Sequence, residues 1–361
     1  MDRKESAVRG CLLGMAVGDA MGYPVDKKSW TEIAEDYGPN GLLGYDLVNG
    51  TADITSHTQL PAFVCNGILL GMTRRKPDQF QKFIALALRE WAKSQQFRTV
   101  AERTYCWLAQ VPKMRRRQCM DTRILDALAR EQLGSTEAPL FRSDSPAMLT
   151  AALAVGLMYD PELMRPDMIG YLAAETVATT QGDPESFLPG AVLAYAVAGI
   201  LQEPEKSLVT QFTDAVEVVR HQFGERFPQV ETVARAVDKA IRYSKDPELS
   251  PLAAMSMLGC TTAVDCLAGA VYACVIHPAN FDEGLIAAVN HSGRSAATGA
   301  LVGAILGAKL GDEALPEFYL ESLETMDVLA ELATDIAQGR QLMRVFDDDW
   351  DQKYVHGLPV Q

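Results

Sequence analysis

Side chains able to do chemistry crowd two short stretches of the 361-residue chain. The first is Asp53-Ile54-Thr55-Ser56-His57-Thr58-Gln59. A serine and a histidine with an aspartate close by hold the atoms of a hydrolase triad, in which imidazole takes the hydroxyl proton and carboxylate orients the imidazole. Adjacent side chains at a helix start point in different directions, however, and there is no Gly-x-Ser-x-Gly elbow to expose a nucleophile. The second stretch is Asn290-His291-Ser292-Gly293-Arg294, which leads into an alanine- and glycine-rich run. Two further clusters carry charge. Asp347-Asp348-Asp349 offers oxygen ligands suited to a hard cation, but consecutive acids near a chain end read as a solvated extension, here residues 346–361. Arg115-Arg116-Arg117 reads as a solvated helix end. Nucleotide fingerprints are missing: there is no Walker A sequence, and the glycines between Gly14 and Gly22 follow no strand.

The elements that must position these groups are helical. Phe83–Trp91, Ala191–Ala198, Val216–Phe223, Val230–Tyr243 and Leu323–Gln338 are apolar or amphipathic at helical period, and no run alternates as a strand does. Ser207 is placed to cap a helix from Leu208, Pro184 to open one at an early position, and Asp282 to open the segment Glu283–Val289. Gly299, Gly303 and Gly307 form a stripe on a helix expected to begin near Ala297, which lets a neighbour approach closely. No long linker interrupts the chain. The expected fold is therefore all-α, one domain over residues 1–345, followed by the acidic extension.

Lys+Arg 33 against Asp+Glu 47 leaves a formal charge of −14, which disfavours nucleic acid and anionic membranes as partners. Seven cysteines without a CxxC pair, most in apolar runs such as Ala62-Phe63-Val64-Cys65, suit buried thiols in a reducing compartment. No apolar run spans a bilayer, and the charged N-terminus has no cleavable leader pattern. A cytoplasmic protein is expected.

Four blocks, in order, carry a resemblance. They are Arg9–Asp26 (RGCLLGMAVGDAMGYPVD), Tyr37–Tyr45 followed by Ile54–Leu60, Thr179-Thr180-Gln181-Gly182-Asp183-Pro184, and Ala288–Ala300 (AVNHSGRSAATGA). Together they resemble the ADP-ribosylglycohydrolase family, whose relatives include the dinitrogenase reductase-activating glycohydrolases. The resemblance implies an all-α orthogonal bundle. It also implies a pair of magnesium or manganese ions held by carboxylates from a Thr-Asp-Asp-Thr and an Asp-Ser-Asp-Ser segment, which cleaves the glycosidic bond of ADP-ribose. Such a metal pair would orient ribose hydroxyls and activate water.

The chain departs from that pattern where the ligands belong. Thr-Asp-Asp-Thr is here Thr55-Ser56-His57-Thr58, and Asp-Ser-Asp-Ser is Arg294-Ser295-Ala296-Ala297. No expected carboxylate survives, and Arg294 brings a charge that no working pH removes. At 4 Å a unit charge repels a divalent ion by about 8 kcal/mol at an effective dielectric of 20. Asp26 stands where the family often has a longer Glu. Gln181 and Asp183 replace two family histidines. The family's glycine-rich phosphate segment corresponds to Ser143–Thr150, where Pro146 removes a backbone donor. No metal or other cofactor is therefore expected.

His57 reads better as a polar space-filler than as a ligand or base. His291 fits loop architecture and ligand contact equally. Asp19 reads as a buried structural acid. Asp26, Asn290, His291, Ser292, Gly293 and Arg294 remain candidates for contact with a ligand. Arg294, at the positive end of a helix, requires an anion: either a protein carboxylate (Asp19, Asp26, Asp53 or Asp183) or a bound phosphate, the protein carboxylate being favoured. Three functions stay open. They are a non-catalytic protein that binds a protein partner in a regulatory or immunity-type role, a metal-free binder of ADP-ribose or a similar nucleotide, and a hydrolase with a rearranged site.

Overall fold

The structure, a computed structural model, describes residues 3–96, 104–342 and 348–355. Its α-helices run in order as α1 (Arg3–Gly22), α2 (Trp30–Tyr37), α3 (Ser56–Thr73), α4 (Phe80–Gln96), α5 (Arg123–Leu128) and α6 (Leu149–Leu157). They continue as α7 (Pro166–Ala178), α8 (Pro184–Gln202), α9 (Leu208–Phe223), α10 (Val230–Tyr243), α11 (Pro251–Leu258) and α12 (Ala263–Ile276). The last are α13 (Phe281–Val289), α14 (Ser295–Leu310), α15 (Glu317–Ser322), α16 (Met326–Leu342) and α17 (Asp348–Tyr354). Strand pairing among the described residues is confined to isolated bridges such as Ala52–Leu323 and Phe141–Gln181. The all-α expectation holds.

Local signals set most helix starts. The Ser207 hydroxyl accepts from the Thr210 amide at 3.1 Å, and Asp183 caps α8 by accepting from Glu185, with Pro184 at the first helical position. Helix α13 begins one residue before Asp282, because the Asn280 side chain takes the Glu283 amide and is the cap. Helix α14 begins at Ser295 rather than near Ala297.

The centre of the bundle is the α1–α14 pair. The glycine stripe Gly299-Gly303-Gly307 meets a second stripe, Gly10-Gly14-Gly18-Gly22, in antiparallel register. A methyl group on Gly18 would lie 1.9 Å from the Gly299 carbonyl oxygen, one on Gly14 2.2 Å from Gly303, and one on Gly10 2.2 Å from Gly307. Gly22 meets the Ser295 carbonyl at 2.2 Å in the same sense. Each glycine costs its helix about 1 kcal/mol relative to alanine. Backbone-to-backbone packing along four turns offsets that cost. The register also places the end of α1, with Tyr23 to Asp26 after it, beside the start of α14.

The expected solvated extension is corrected where it can be seen. Residues 348–354 are helical and anchored: Trp350 and Tyr354 are buried, and the Tyr354 hydroxyl donates to Asp335 at 2.8 Å. The aromatic spacing i, i+4 in this acidic stretch gives α17 a buried face. Asp348 and Asp349 occupy its first turn, where carboxylates complement the helix dipole. Asp347 lies outside the described residues. Among the described residues one helix, α8, is long and apolar enough to cross a membrane, and most of it is buried inside the bundle.

Gly18→Ala or Gly303→Ala is expected to destabilise by about 3 kcal/mol or more, since the methyl meets rigid backbone on both sides. Gly44→Ala, with open space around the new methyl, should leave stability within about 0.5 kcal/mol. Urea denaturation of the three variants checks the contrast.

Candidate functional site

Asp19, fully buried on α1, organises the start of α3. Its carboxylate accepts from the Thr55 amide, the Thr55 hydroxyl and the Thr58 hydroxyl, each at 2.7 Å. Burial pushes its pKa up to about 6, while these three donors act in the opposite direction. Asp19 is thus the structural acid expected. It holds Thr55, which caps α3, so that Ser56 and His57 fall on the first turn.

Those two residues are closed off. Ser56, His57 and Thr58 are buried. The Ser56 hydroxyl accepts from the Met120 amide at 3.1 Å, and its backbone amide donates to the Gln118 carbonyl. Asp53 is ion-paired with Arg116, which also reaches Glu324 at 2.9 Å. Neither nitrogen of His57 has a hydrogen-bond partner, and no Ser-His-Asp relay forms. Burial first, then the charges of Arg294 and Lys27, lowers the His57 pKa to about 3. The imidazole is neutral at physiological pH.

At the start of α14, Arg294 is the N-cap residue and makes no capping bond with its side chain. Its Nε lies 3.5 Å from Asp26 Oδ2, and both side chains are largely buried. The other Asp26 oxygen accepts from the Ala296 amide at 3.2 Å. Asp26 therefore serves two cations at once, the guanidinium and the positive end of α14. Burial raises its pKa, and Arg294 opposes that rise. The pairing is incomplete. Arg294 Nε and Nη2 and Asp26 Oδ2 are buried without a formed hydrogen bond. Of the carboxylates open to Arg294 from sequence, Asp26 is the one met. Asp19 is tied to threonines, Asp53 to Arg116, and Asp183 to the α8 start.

The 290–293 segment works as a clamp. Asn290 takes the Leu42 amide at 2.8 Å and donates to the Leu42 carbonyl at 2.9 Å. Ser292 accepts from the Trp30 amide at 2.7 Å, and the Gly293 carbonyl accepts from Lys27 at 2.8 Å. His291 is buried without a side-chain hydrogen bond, and burial lowers its pKa to about 4. Ala296 and Ala297 are buried and offer no side-chain donor or acceptor. The 143–150 segment is bound inward. The Ser186 hydroxyl donates to the Ser143 carbonyl, Ala263 to the Asp144 carbonyl, and Arg123 to the Ser143 hydroxyl.

Sequence reasoning missed residues 118–121, which fold over the start of α3, and took Arg116 for part of a solvated helix end, whereas it pairs with Asp53 and Glu324. The Gln118 side-chain oxygen accepts from the Tyr23 hydroxyl at 3.0 Å, and the Gln118 backbone amide donates to Gln95 Oε1 at 3.2 Å. No periodicity or motif links Gln118 to Ser56. Lys27, at φ 66, was also overlooked. Positive φ at a lysine has no mark in the sequence.

A pair of hard divalent ions needs several anionic oxygens. The donor set here is one serine hydroxyl, one neutral imidazole and the carboxylate of Asp26, with a guanidinium beside it. Among the described residues, no group of three or more His, Cys, Asp or Glu side chains is placed to hold a metal. The residues do not fit the family's metal pair. A family model described as ADP-ribosylglycohydrolase matches residues 1–345. The chain belongs to the ADP-ribosylglycohydrolase family. An uncharacterized protein of Archaeoglobus fulgidus is 27% identical over 343 residues, covering 92% of this chain and 96% of the relative. A solved structure described as an ADP-ribosylglycohydrolase-related protein complex shares the fold, with a TM-score of 0.57 at 20% identity. It covers 94% of this chain and 99% of its own. This family member thus keeps the family's all-α scaffold.

The three buried titrating groups set a pH dependence. Below pH 6.5 the unfolded chain protonates both histidines, while the folded chain holds His57 neutral to about 3 and His291 to about 4. Stability is present above 6.5 and is lost as pH falls. Asp19 acts oppositely: its folded carboxyl takes a proton near 6 and its unfolded one near 3.8, so its contribution grows as pH falls. Each group changes stability by at most about 1.4 kcal/mol per pH unit, and only between its folded and unfolded pKa. Urea unfolding at pH 6 and pH 5 should show that the histidine pair costs about 2 kcal/mol over that unit, partly offset by Asp19. In the double variant His57→Gln, His291→Gln that loss should vanish. A wild-type slope unchanged by the double substitution would contradict the assignment.

Proposed function

We propose that this ADP-ribosylglycohydrolase-like protein has lost metal-dependent ADP-ribosyl hydrolysis and acts by binding, in a regulatory or immunity-type role with a protein partner. One observation carries the reading. Arg294 and Asp26 form an ion pair at 3.5 Å at the N-terminus of α14, where the resemblance puts the second set of metal ligands. A guanidinium there opposes a divalent cation, and the carboxylate that remains is engaged by Arg294 and Ala296. No metal is expected at this cleft. Seven free cysteines, six of them buried, support a reducing, cytoplasmic setting.

A second reading has its own support. Arg294 Nη2, Gln181 Oε1 and both His57 nitrogens are buried without partners, and buried polar atoms of this kind are normally satisfied by water or a ligand. They favour a metal-free site for an ADP-ribose-like molecule. Calorimetric titration with ADP-ribose separates the two. The non-catalytic, protein-binding reading expects no heat of binding, and saturable binding lost in Arg294→Ala favours the ligand binder.

For activity, no release of ADP-ribose from arginine- or serine-modified protein is expected with millimolar magnesium or manganese. Release that His57→Ala abolishes would instead establish a rearranged catalytic site. Arg294→Ala should destabilise the fold by about 3 kcal/mol, because Asp26 is left buried without its cation. Combined Ser56→Asp, His57→Asp, Arg294→Asp and Ala296→Asp should introduce manganese-dependent thermal stabilisation, with the single changes ineffective. Absence of any gain would mean that the cleft no longer has the geometry of a metal site.

A further inference from the structure

A non-catalytic member must act through its surface, and one face stands out. Among the described residues seven large apolar side chains are exposed, and four of them, Leu43, Leu47, Val48 and Phe318, fall on two segments that pack together. The Tyr45 ring meets the Tyr319 ring edge-on at 4.9 Å. The Ala52 amide donates to the Ser322 carbonyl at 2.9 Å. Leu43 and Leu47 flank the half-buried Tyr45, and Phe318 precedes the buried Tyr319, so the aromatic pair lies beside exposed apolar side chains. The 38–55 connection between α2 and α3 has no helix of its own. Connections of that length in a compact domain are usually functional. Asn290 fastens it at Leu42, and Thr55 ends it at Asp19.

Charge decides what this face can accept. Residues 29–55 and 310–327 contain eleven Asp and Glu and no Lys or Arg. Lys28, Arg116, Lys113 and Arg9, from outside these segments, pair with Asp36, Asp53, Glu324, Asp327 and Asp312. Glu35, Asp46, Glu317 and Glu321 are exposed and form none of the ion pairs found among the described residues. Glu317 and Glu321 are one turn apart on α15, on the face next to Phe318. An apolar centre with an unneutralised acidic rim repels a second copy of this chain, whose net charge is −14. It repels nucleic acid and anionic lipid equally.

We propose that the face formed by residues 43–48 and α15 is the docking site for a partner protein segment that is both apolar and basic, an amphipathic stretch with Lys or Arg flanking its hydrophobic side chains. Leu43, Leu47 and Phe318 supply the contact area, and Asp46, Glu317 and Glu321 supply attraction and orientation. The inference rests on the binding role proposed above, but its test does not use the cleft.

The probe is a fluorescent amphipathic peptide of leucine and lysine, with a leucine and glutamate peptide of the same pattern as control. Anisotropy titrations of the full chain should show saturable binding of the first and none of the second. Leu47→Ser with Phe318→Ser should weaken it about tenfold, the scale of losing a central apolar anchor. Glu317→Gln with Glu321→Gln should weaken it and flatten its salt dependence. Val218→Ser, at an exposed apolar residue on α9, should change nothing, and unchanged melting temperatures exclude misfolding. Three results would overturn the proposal: no binding, equal binding by the wild type and the Leu47/Phe318 variant, or a wild-type dimer in sedimentation that Phe318→Ser dissolves. Hydrolase assays on the same samples report on the cleft separately, so either reading can fail alone.

Discussion

Two helices touching backbone to backbone set the geometry of everything else in this molecule. Gly10, Gly14, Gly18 and Gly22 of α1 face the carbonyls of Gly307, Gly303, Gly299 and Ser295 of α14 at distances where no side chain fits. Glycine is tolerated in both helices because the dispersion gained by close approach exceeds the propensity lost. The contact fixes register as well as distance. Asp19, one residue past Gly18, is thereby fixed under the start of α3, and Asp26, just past the end of α1, under the start of α14. The two clusters that the sequence separates by more than 200 residues meet because of this pair.

At that meeting point the charge balance differs from that of a metal cleft. A metal pair needs several carboxylates, and the two buried near this point, Asp19 and Asp26, are each engaged within the chain. Asp19 is served by hydroxyl and amide donors from Thr55 and Thr58. Asp26 is served by Arg294 and by the α14 amide end. On the proposed reading, Arg294 stands in electrostatically for the cations without their open coordination sites. His57 is held neutral by burial and by Arg294, consistent with a site whose cation is already built into the chain. The Asn290–Gly293 loop closes onto Leu42, Trp30 and Lys27. Its polar atoms are used to hold neighbouring backbone.

Much of this was legible in the residues. Helical period and capping side chains marked the helices, because Ser207, Pro184 and the Val230–Tyr243 pattern act locally. Ordered motif blocks marked the fold, and the glycine stripe of α14 announced a close neighbour. The identity of that neighbour was not legible. Gly10 to Gly22 carries the same four-residue spacing, but pairing depends on which buried faces meet in three dimensions. Arg294's need for a carboxylate followed from helix electrostatics, whereas the choice of Asp26 over Asp53 depended on Arg116 claiming the latter. The end of the chain misled. Acidic residues suggested solvation, and Trp350 and Tyr354, four residues apart, anchor it.

The central claim is that an internal ion pair occupies the place of the metal pair. Anomalous diffraction at the manganese edge tests it most directly, on crystals grown in millimolar manganese. The Arg294–Asp26 pair predicts no anomalous peak within coordination distance of Ser56, His57, Asp26 or Ala296, with the guanidinium still against the carboxylate. One or two ordered manganese ions there, with Arg294 turned away from Asp26, would contradict it.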